Sequence, residues 1–327
     1  MSLDDAAENA LVGALLLRPG QLDDVRAWLQ TEDICGTAPQ QAYAAMVELR
    51  KRDEDVSPQS VDTEVRVTVA LGTQAADAAY LVTAIQSTPC DTRATTYGRM
   101  VLELSIRRHV AEDAIRLRQA GESARTSDQL NRLFATVDGM RRGVELLHRR
   151  ESAAAGALSV APAIGGELDQ LTFFPRSEYL PAEKDLIYSV VEQPSSLSLI
   201  SAWLRTGDFS DDECGALFGE LTALHDARNP IDRLTLAWRA AKVGIQGPVT
   251  ESLVTAVVEA PRSSLEPVAA ARRVLEQSVQ SAVLATSEEL ERVSHDPGVN
   301  ATSLAYARLN NLWPQQRRLV RATLTCP

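Results

Sequence analysis

The chain has 327 residues, a formal net charge of −11 and 45% hydrophobic residues. This length suits two domains of ordinary size, and the negative charge disfavours broad, unspecific binding to nucleic acid because phosphates would be repelled. The four cysteines show no CxxC or zinc-finger spacing, which argues against a disulfide framework and fits a reducing cytosol. The acidic N-terminal segment and the short apolar runs predict neither a signal peptide nor a transmembrane helix, so we expect a soluble cytoplasmic protein without membrane contact.

The first part of the chain predicts a series of short helices. Leu11 and Leu15 share helical spacing, and the Pro-Gly pair at 19–20 separates their helix from the next one. Ser57 is a residue type that caps helix N-termini, and it stands directly before Pro58, which the first helical turn tolerates. A further helix is therefore predicted to begin at this point.

Residues 81–89 read LVTAIQSTP and predict a short apolar helix. The helix should end before Pro89, because proline disfavours the helical conformation in the residue that precedes it. Four apolar residues form its expected buried stripe: Leu81, Val82, Ala84 and Ile85. We expect Thr83 to bind its own backbone or to face solvent.

Two longer amphipathic helices are predicted next, from about Arg93 to Ala120 and from Ser127 to Arg150. Apolar residues lie on one face of each: Tyr97, Val101, Leu104 and Val110 in the first, and Leu130, Leu133, Phe134, Val137 and Met140 in the second. Residues 151–180 carry glycine, proline and small residues with little periodicity, which is typical of a linker.

The second half of the chain repeats the first. Residues 253–261 read LVTAVVEAP, close to the sequence of 81–89, and the flanking residues recur in the same order at an offset of about 175. The recurring positions include Glu8 and Glu183, Pro19 and Pro194, Trp28 and Trp203, Asp33 and Asp208, Ser57 and Asp232, Tyr43 and Phe218, and Ser105 and Ser278. Chance does not align this many residues, so the chain is a tandem duplication.

The duplication predicts an all-α fold with two tandem helical-bundle domains. We expect copy 1 to occupy residues 1–150, a linker to occupy 151–180, and copy 2 to occupy 181–327. Each copy is long enough to bury its own core, so we expect residues 1–150 and 181–327 each to fold independently. The two tryptophans at equivalent positions, Trp28 and Trp203, lie on apolar faces and are expected to be core anchors.

The sequence contains no motif typical of an enzyme. It has no GxxxxGK[ST], and none of its three lysines, Lys51, Lys184 and Lys242, follows a glycine, so no phosphate-binding loop is predicted. The histidines are isolated from one another and show no metal-ligand spacing. We therefore predict no catalytic residues, no cofactor and no metal, although an enzyme with an unfamiliar site remains an alternative.

Positive charge is clustered almost entirely as arginine. The clusters are Arg107-Arg108, Arg141-Arg142, Arg149-Arg150, and Arg317-Arg318 with Arg321. Such clusters are usually solvated helix faces that pair with nearby carboxylates. The alternative is contact with an acidic partner or with nucleic acid.

Copy 1 contains the segments AENALVGALLLRPGQLDDV, PQQAYAAMVEL and TYGRMVLELSIRRHV. Over about residues 6 to 120, this set of segments resembles the N-terminal domain of the DnaB-type replicative DNA helicases. The matching positions are Glu8, Gly13, Asp33, Ile34, Tyr80-Leu81, Thr88-Pro89, Tyr97, Val101 and Arg107-Arg108. Copy 2 departs from this motif set at three positions, where Gly13 is replaced by Tyr188, Tyr97 has no aromatic counterpart, and the double arginine is replaced by Gln280-Ser281.

In the family that copy 1 resembles, this domain is a helical bundle that pairs with its neighbours in a collar and supplies a docking surface for primase. The resemblance therefore implies a non-enzymatic interaction protein that binds replicative helicase or primase, or that self-associates, with an intramolecular pseudo-dimer of the two copies as one form. No part of the sequence resembles the family's RecA-like ATPase domain. Four arginines are the candidate partner-binding residues: Arg107, Arg108, Arg141 and Arg142. Direct nucleic-acid binding through the arginine clusters is the alternative function.

Overall fold

The computed structural model describes residues 2–69, 75–156, 180–255 and 266–324. Every regular element in these ranges is a helix, and they contain no strand, which confirms the all-α prediction. No helix in these ranges is both long enough and apolar enough to span a bilayer.

The described residues before 157 contain seven α-helices. They are α1 (Leu3–Leu17), α2 (Leu22–Val25), α3 (Thr37–Lys51), α4 (Pro58–Thr68), α5 (Ala78–Ser87), α6 (Ala94–Ser123) and α7 (Ser127–Gly156). Residues 151–156 of the predicted linker are thus helical, and residues 157–179 lie outside the described ranges.

Eight α-helices follow in the described residues from 180 onwards, and the first six repeat the order of α1 to α6. They are α8 (Leu180–Glu192), α9 (Leu197–Ile200), α10 (Asp212–Asp226), α11 (Arg233–Val243), α12 (Pro248–Thr255), α13 (Pro267–His295), α14 (Ala301–Asn310) and α15 (Trp313–Leu324). Most of the second LVTA-containing segment, residues 256–261, lies outside the described residues, as do the side chains of 253–255.

Side-chain caps begin the equivalent helices α4 and α11. The hydroxyl of Ser57 accepts a hydrogen bond from the amide of Ser60, and the carboxylate of Asp232 accepts one from the amide of Thr235 at 2.8 Å. Each cap satisfies a backbone N–H that has no partner inside the helix, which stabilises the helix by about 1 kcal/mol. The sequence-based prediction of both caps is confirmed.

The short helix α5 buries a narrower stripe than predicted. Leu81 and Ala84 are buried, but Val82 is 50% exposed and Ile85 is half-buried. Thr83 donates to the carbonyl of Ala79, as expected. In α6, likewise, Leu104 is only half-buried, whereas the five apolar residues predicted for α7 are all buried. Helix α5 packs against α1 and α4 and buries only the residues that face them, which leaves Val82 exposed to solvent.

The chain forms two compact units that do not follow the order of the sequence. Among the described residues, unit 1 consists of 2–69, 75–112, 142–156 and 293–305, and unit 2 of 113–141, 180–255, 266–292 and 306–324. Unit 1 therefore includes a segment of copy 2, and unit 2 includes a segment of copy 1. Independent folding of the linear halves 1–150 and 181–327 stays a prediction.

Each unit has an apolar core with one of the repeated tryptophans in it. Trp28 is buried in unit 1 and Trp203 in unit 2, which confirms their expected place as core anchors. Other fully buried side chains include Leu11, Leu15, Tyr43 and Met46 in unit 1, and Leu117, Leu130, Leu186 and Phe218 in unit 2.

Candidate interaction sites

A buried carboxylate organises unit 1. Asp33 is 1% exposed and accepts hydrogen bonds from the hydroxyl of Ser105 at 2.7 Å and from the amide of Gln30 at 2.7 Å. The guanidinium of Arg150, near the end of α7, binds the same carboxylate and also donates to the carbonyl of Trp28 at 2.9 Å. The cluster ties α6, α7 and the turn before α3 together, and it compensates the buried charge.

Unit 2 contains the same cluster. Asp208 is 5% exposed and accepts hydrogen bonds from the hydroxyl of Ser278 at 3.1 Å and from the amide of Arg205 at 2.7 Å. Arg318, on α15, supplies the guanidinium that pairs with this carboxylate. The sequence predicts Arg150 and Arg318 on solvated faces or at partner contacts, whereas the structure pairs each of these partly buried arginines with a buried aspartate.

A second pair of buried carboxylates also recurs. Glu8 in α1 accepts hydrogen bonds from the amides of Cys35 and Gly36 at 2.7 and 2.9 Å. Glu183 in α8 accepts from the amides of Ser210 and Asp211 at 2.8 and 3.1 Å, and burial raises the pKa of its carboxyl group. In each copy the glutamate fixes the first helix to the segment that leads into the third helix, which is α3 in copy 1 and α10 in copy 2.

Arg107 binds the turn that follows α13, within unit 1. Its guanidinium donates to the carbonyl of Asp296 at 2.6 Å, to that of Val299 at 3.3 Å and to that of Val293 at 3.4 Å. The same group pairs with Glu103 at 3.0 Å. An arginine fork can satisfy several carbonyls at a helix C-terminus, where the last backbone acceptors have no partner inside the helix.

Gln280 makes the corresponding contact in unit 2. It follows Ser278 by two residues, as Arg107 follows Ser105, and its amide donates to the carbonyl of Gly121 at 2.8 Å. A Cβ atom at Gly121 would stand 3.0 Å from the side chain of Val283, so the end of α6 lies closely against α13. Two further contacts hold this segment, between Ser127 and Glu276 and between Arg118 and Glu291.

The remaining candidate arginines also have neighbours in the chain. Arg108 donates to the backbone carbonyl of Asp33, and Arg141 pairs with Asp138 at 2.9 Å. Hydrogen bonds to Asp138 and Tyr306 raise the pKa of Arg141. Arg142 is exposed on α7. None of these contacts tests partner binding, so a role of the four predicted arginines in binding a partner stays a prediction.

A cavity of about 490 Å³ opens in unit 2. It is lined by Ala124, Arg125, Thr126, Leu130, Arg273, Glu276, Gln277 and Gln280. Among the described residues that line it, Glu276 is the one carboxylate and is hydrogen-bonded to Ser127, and no second acid, histidine or cysteine stands beside it. Across the described ranges, no group of three histidine, cysteine, aspartate or glutamate side chains is placed to hold a metal ion.

Comparison with known proteins identifies the repeated unit. The family model of the DnaB-like helicase N-terminal domain matches residues 3–103 and again residues 176–276. No curated protein matches the chain. Among solved structures, the crystal structure of the N-terminal domain of DnaB helicase from Mycobacterium tuberculosis is 28% identical, with coverage of 40% of this chain and 94% of that one and a TM-score of 0.37. The two family matches together span more than half of the sequence, and the chain belongs to the DnaB-like helicase N-terminal domain family, whose domain it carries twice.

Proposed function

We propose that the protein is a non-enzymatic interaction module in which its two DnaB N-terminal-type copies form an intramolecular pseudo-dimer that acts on the replication machinery. The observation that carries this proposal is the reciprocal contact at one repeated position. Arg107 of copy 1 binds carbonyls of copy 2, and Gln280 of copy 2 binds a carbonyl of copy 1. The same position therefore contacts the other copy in both cases.

The extent of the exchanged segments supports the pairing. Residues 113–141 of copy 1 are counted in unit 2, and residues 293–305 of copy 2 are counted in unit 1. In unit 1, Glu151, where α7 continues from copy 1 into the predicted linker, accepts hydrogen bonds from Asn300 at 2.8 Å and from Thr302 at 2.5 Å. Each compact unit thus contains polar contacts between residues of one copy and the shorter segment that comes from the other copy.

The covalent tandem favours this arrangement. Two domains joined in one chain meet at an effective concentration that reaches the millimolar range for short linkers. Collar domains of the family pair with their neighbours, so one chain of this protein supplies such a pair by itself. We propose that the pair binds replicative helicase or primase.

Protein binding is better supported than nucleic-acid binding. The charges of Arg150 and Arg318 are compensated by buried aspartates, and Arg107 is bound to backbone carbonyls and Glu103. These arginines are therefore engaged within the protein and are less available to phosphates. The chain as a whole has a net charge of −11, which repels nucleic acid.

A binding experiment tests the proposed role. The purified protein of 327 residues is mixed with the replicative helicase or with the primase of the source cell. We expect co-elution with one of them in size-exclusion chromatography, no salt-dependent gel shift of single- or double-stranded DNA, and no ATP hydrolysis. If neither the helicase nor the primase forms a complex with the protein at tens of micromolar, the proposed partners are contradicted. A DNA shift that weakens steeply with salt would favour the nucleic-acid alternative.

A further inference from the structure

Helix α15 presents a mixed apolar and cationic face to solvent. Its inner side is anchored by Leu319 and Ala322, which are buried. The outward side chains follow one another at intervals of four, three and four residues, which places them on one face of a helix. They are Trp313, Arg317, Val320 and Leu324.

The apolar members of this face are large and accessible. Trp313 is 44% exposed and Leu324 is 80% exposed. The guanidinium of Arg317 lies over the Trp313 ring, 6.0 Å from its centroid, which keeps the charge beside the apolar surface. From Trp313 to Leu324 the face extends over about 17 Å at the helical rise of about 1.5 Å per residue.

Positive charge surrounds the tryptophan. A cavity of about 190 Å³ beside it is lined by Arg205, Trp313, Pro314, Arg317, Arg318 and Arg321. Asp208 compensates Arg318, but across the described ranges neither Arg205 nor Arg317 has a carboxylate within ion-pair distance. Helix α15 itself contains three arginines and no acidic residue, in a chain with a net charge of −11.

The fold does not require this face. When Arg150 of copy 1 is aligned with Arg318 of copy 2, Glu145, Ser152 and Gly156 stand where Trp313, Val320 and Leu324 stand in copy 2. The basic position alone is shared, as Arg149 and Arg317. Copy 2 therefore carries an exposed apolar surface that its duplicate folds without.

We propose that this α15 face is a docking surface for an acidic amphipathic helix of a partner protein. Carboxylates of the partner would pair with Arg205 and Arg317, and its apolar residues would cover Trp313, Val320 and Leu324. Single-stranded nucleic acid could stack on Trp313, but Val320 and Leu324 offer nothing to phosphates, and the acidic chain repels a polyanion. All the residues involved lie in unit 2 and in copy 2, so the surface does not depend on the pseudo-dimer.

Fluorescence anisotropy on the full-length protein tests the proposal. The probe is a dye-labelled designed helix of about 20 residues with leucines on one face and glutamates elsewhere. A matched peptide with lysine in place of glutamate and an oligothymidylate of about 20 nucleotides serve as comparisons. We expect the acidic peptide to bind most tightly, and Trp313→Ala or Arg317→Glu to weaken it by at least about fivefold.

Trp238→Ala is the matched control, since Trp238 is 61% exposed on α11 and lies outside this face. It should leave the affinity unchanged. Circular dichroism of each variant should be that of the wild type, because the substituted side chains point to solvent. The Trp238→Phe variant leaves Trp313 as the one exposed tryptophan, because Trp28 and Trp203 are buried. A blue shift of its tryptophan emission on binding therefore reports on Trp313.

Three results would overturn the proposal. One is that the acidic and the lysine peptides bind equally well, or that neither of them binds. Another is tighter binding of the oligothymidylate. The third is an acidic peptide that binds the Trp313→Ala variant as well as the wild type.

Discussion

Asp33 and Asp208 occupy the same place in the two copies, but their surroundings have diverged. In unit 1 the buried aspartate has two arginines beside it, Arg150 at the carboxylate and Arg108 at the backbone carbonyl. In unit 2, Arg318 binds the carboxylate, and serine replaces the arginine that would match Arg108. A buried charge requires its direct partner, whereas the outer contacts are free to change after duplication.

The two copies differ more at the position where the first helix crosses its neighbouring helix. Gly13 in α1 lies so close to α5 that a Cβ atom would stand 2.3 Å from the carbonyl oxygen of Ala84. Copy 2 has Tyr188 at this position, and its hydroxyl is hydrogen-bonded to Ser252 of α12. One copy packs backbone against backbone and the other places an aromatic ring between the helices, so the copies share a topology without sharing each contact.

Removing the buried aspartates is expected to have the largest effect on stability. Asp33→Ala and Asp208→Ala each leave an arginine without its carboxylate, which should lower the free energy of unfolding by about 3–5 kcal/mol. Asp33→Ala should cost more, because Arg108 lies beside Arg150 in unit 1. Urea unfolding followed by circular dichroism measures the difference, with exposed Asp24→Ala as a control that should change little. Equal stability of the variants and the wild type would contradict the assigned role of the cluster.

The reciprocal contacts should differ in strength between the copies. Arg107→Ala removes charge-assisted hydrogen bonds to three carbonyls and should cost about 1.5–3 kcal/mol, whereas Gln280→Ala removes a neutral one and should cost about 0.5–1.5 kcal/mol. Hydrogen exchange should accelerate at 293–305 in the first variant and at 113–141 in the second. Exchange that changes only within the copy carrying the substitution would argue against the cross-copy contacts.

Gly13 tests the close packing that copy 1 has and copy 2 lacks. Gly13→Ala forces a methyl group against the α5 backbone and should destabilise the protein by about 1–3 kcal/mol. Gly139→Ala, on α7, is the matched substitution, because a Cβ atom there meets nothing within 4 Å. It should be neutral or stabilising by up to about 1 kcal/mol, since alanine favours the helix. Thermal melts of both variants decide, and a Gly13→Ala protein as stable as the wild type would show that α1 and α5 can separate at no cost.

The two units should also differ in the reactivity of their cysteine thiols. Cys35 is exposed in unit 1, while burial raises the pKa of the Cys214 thiol in unit 2. The thiolate is the reactive form, so at pH about 8 a variant that retains only Cys214 should react with a disulfide reagent far more slowly than one that retains only Cys35. Urea should abolish the difference. Equal rates in the native proteins would show that unit 2 opens readily around α10.

Periodicity and repetition made much of the fold predictable. Apolar spacing marks the long helices, the caps at Ser57 and Asp232 mark helix starts, and the repeated tryptophans mark the cores. The buried stripe of α5 was predicted too wide, because spacing along a short helix does not show which side meets a neighbour. The repeated pair Asp33 and Asp208 carried a usable signal, since acids that recur among apolar positions suggest buried carboxylates.

The ion pairs and the exchange of segments were not predictable in the same way. Arg150 lies 117 residues from Asp33 along the chain, and sequence shows its charge without showing its partner. The double arginine of copy 1 is replaced by Gln280-Ser281 in copy 2, and the sequence does not show that this position keeps a common contact. Arg107 and Gln280 each bind the other copy, because an amide can donate to a carbonyl as a guanidinium does.

Cleavage of the folded full-length protein tests the pseudo-dimer most directly. A protease site inserted between residues 157 and 179 allows the chain to be cut after folding, and native mass spectrometry then shows whether the halves stay together. The reciprocal contacts predict a one-to-one complex of the halves at micromolar concentration, weakened by Arg107→Glu combined with Gln280→Ala. Complete separation of the halves at tens of micromolar, with each retaining its helical circular dichroism, would contradict the pseudo-dimer.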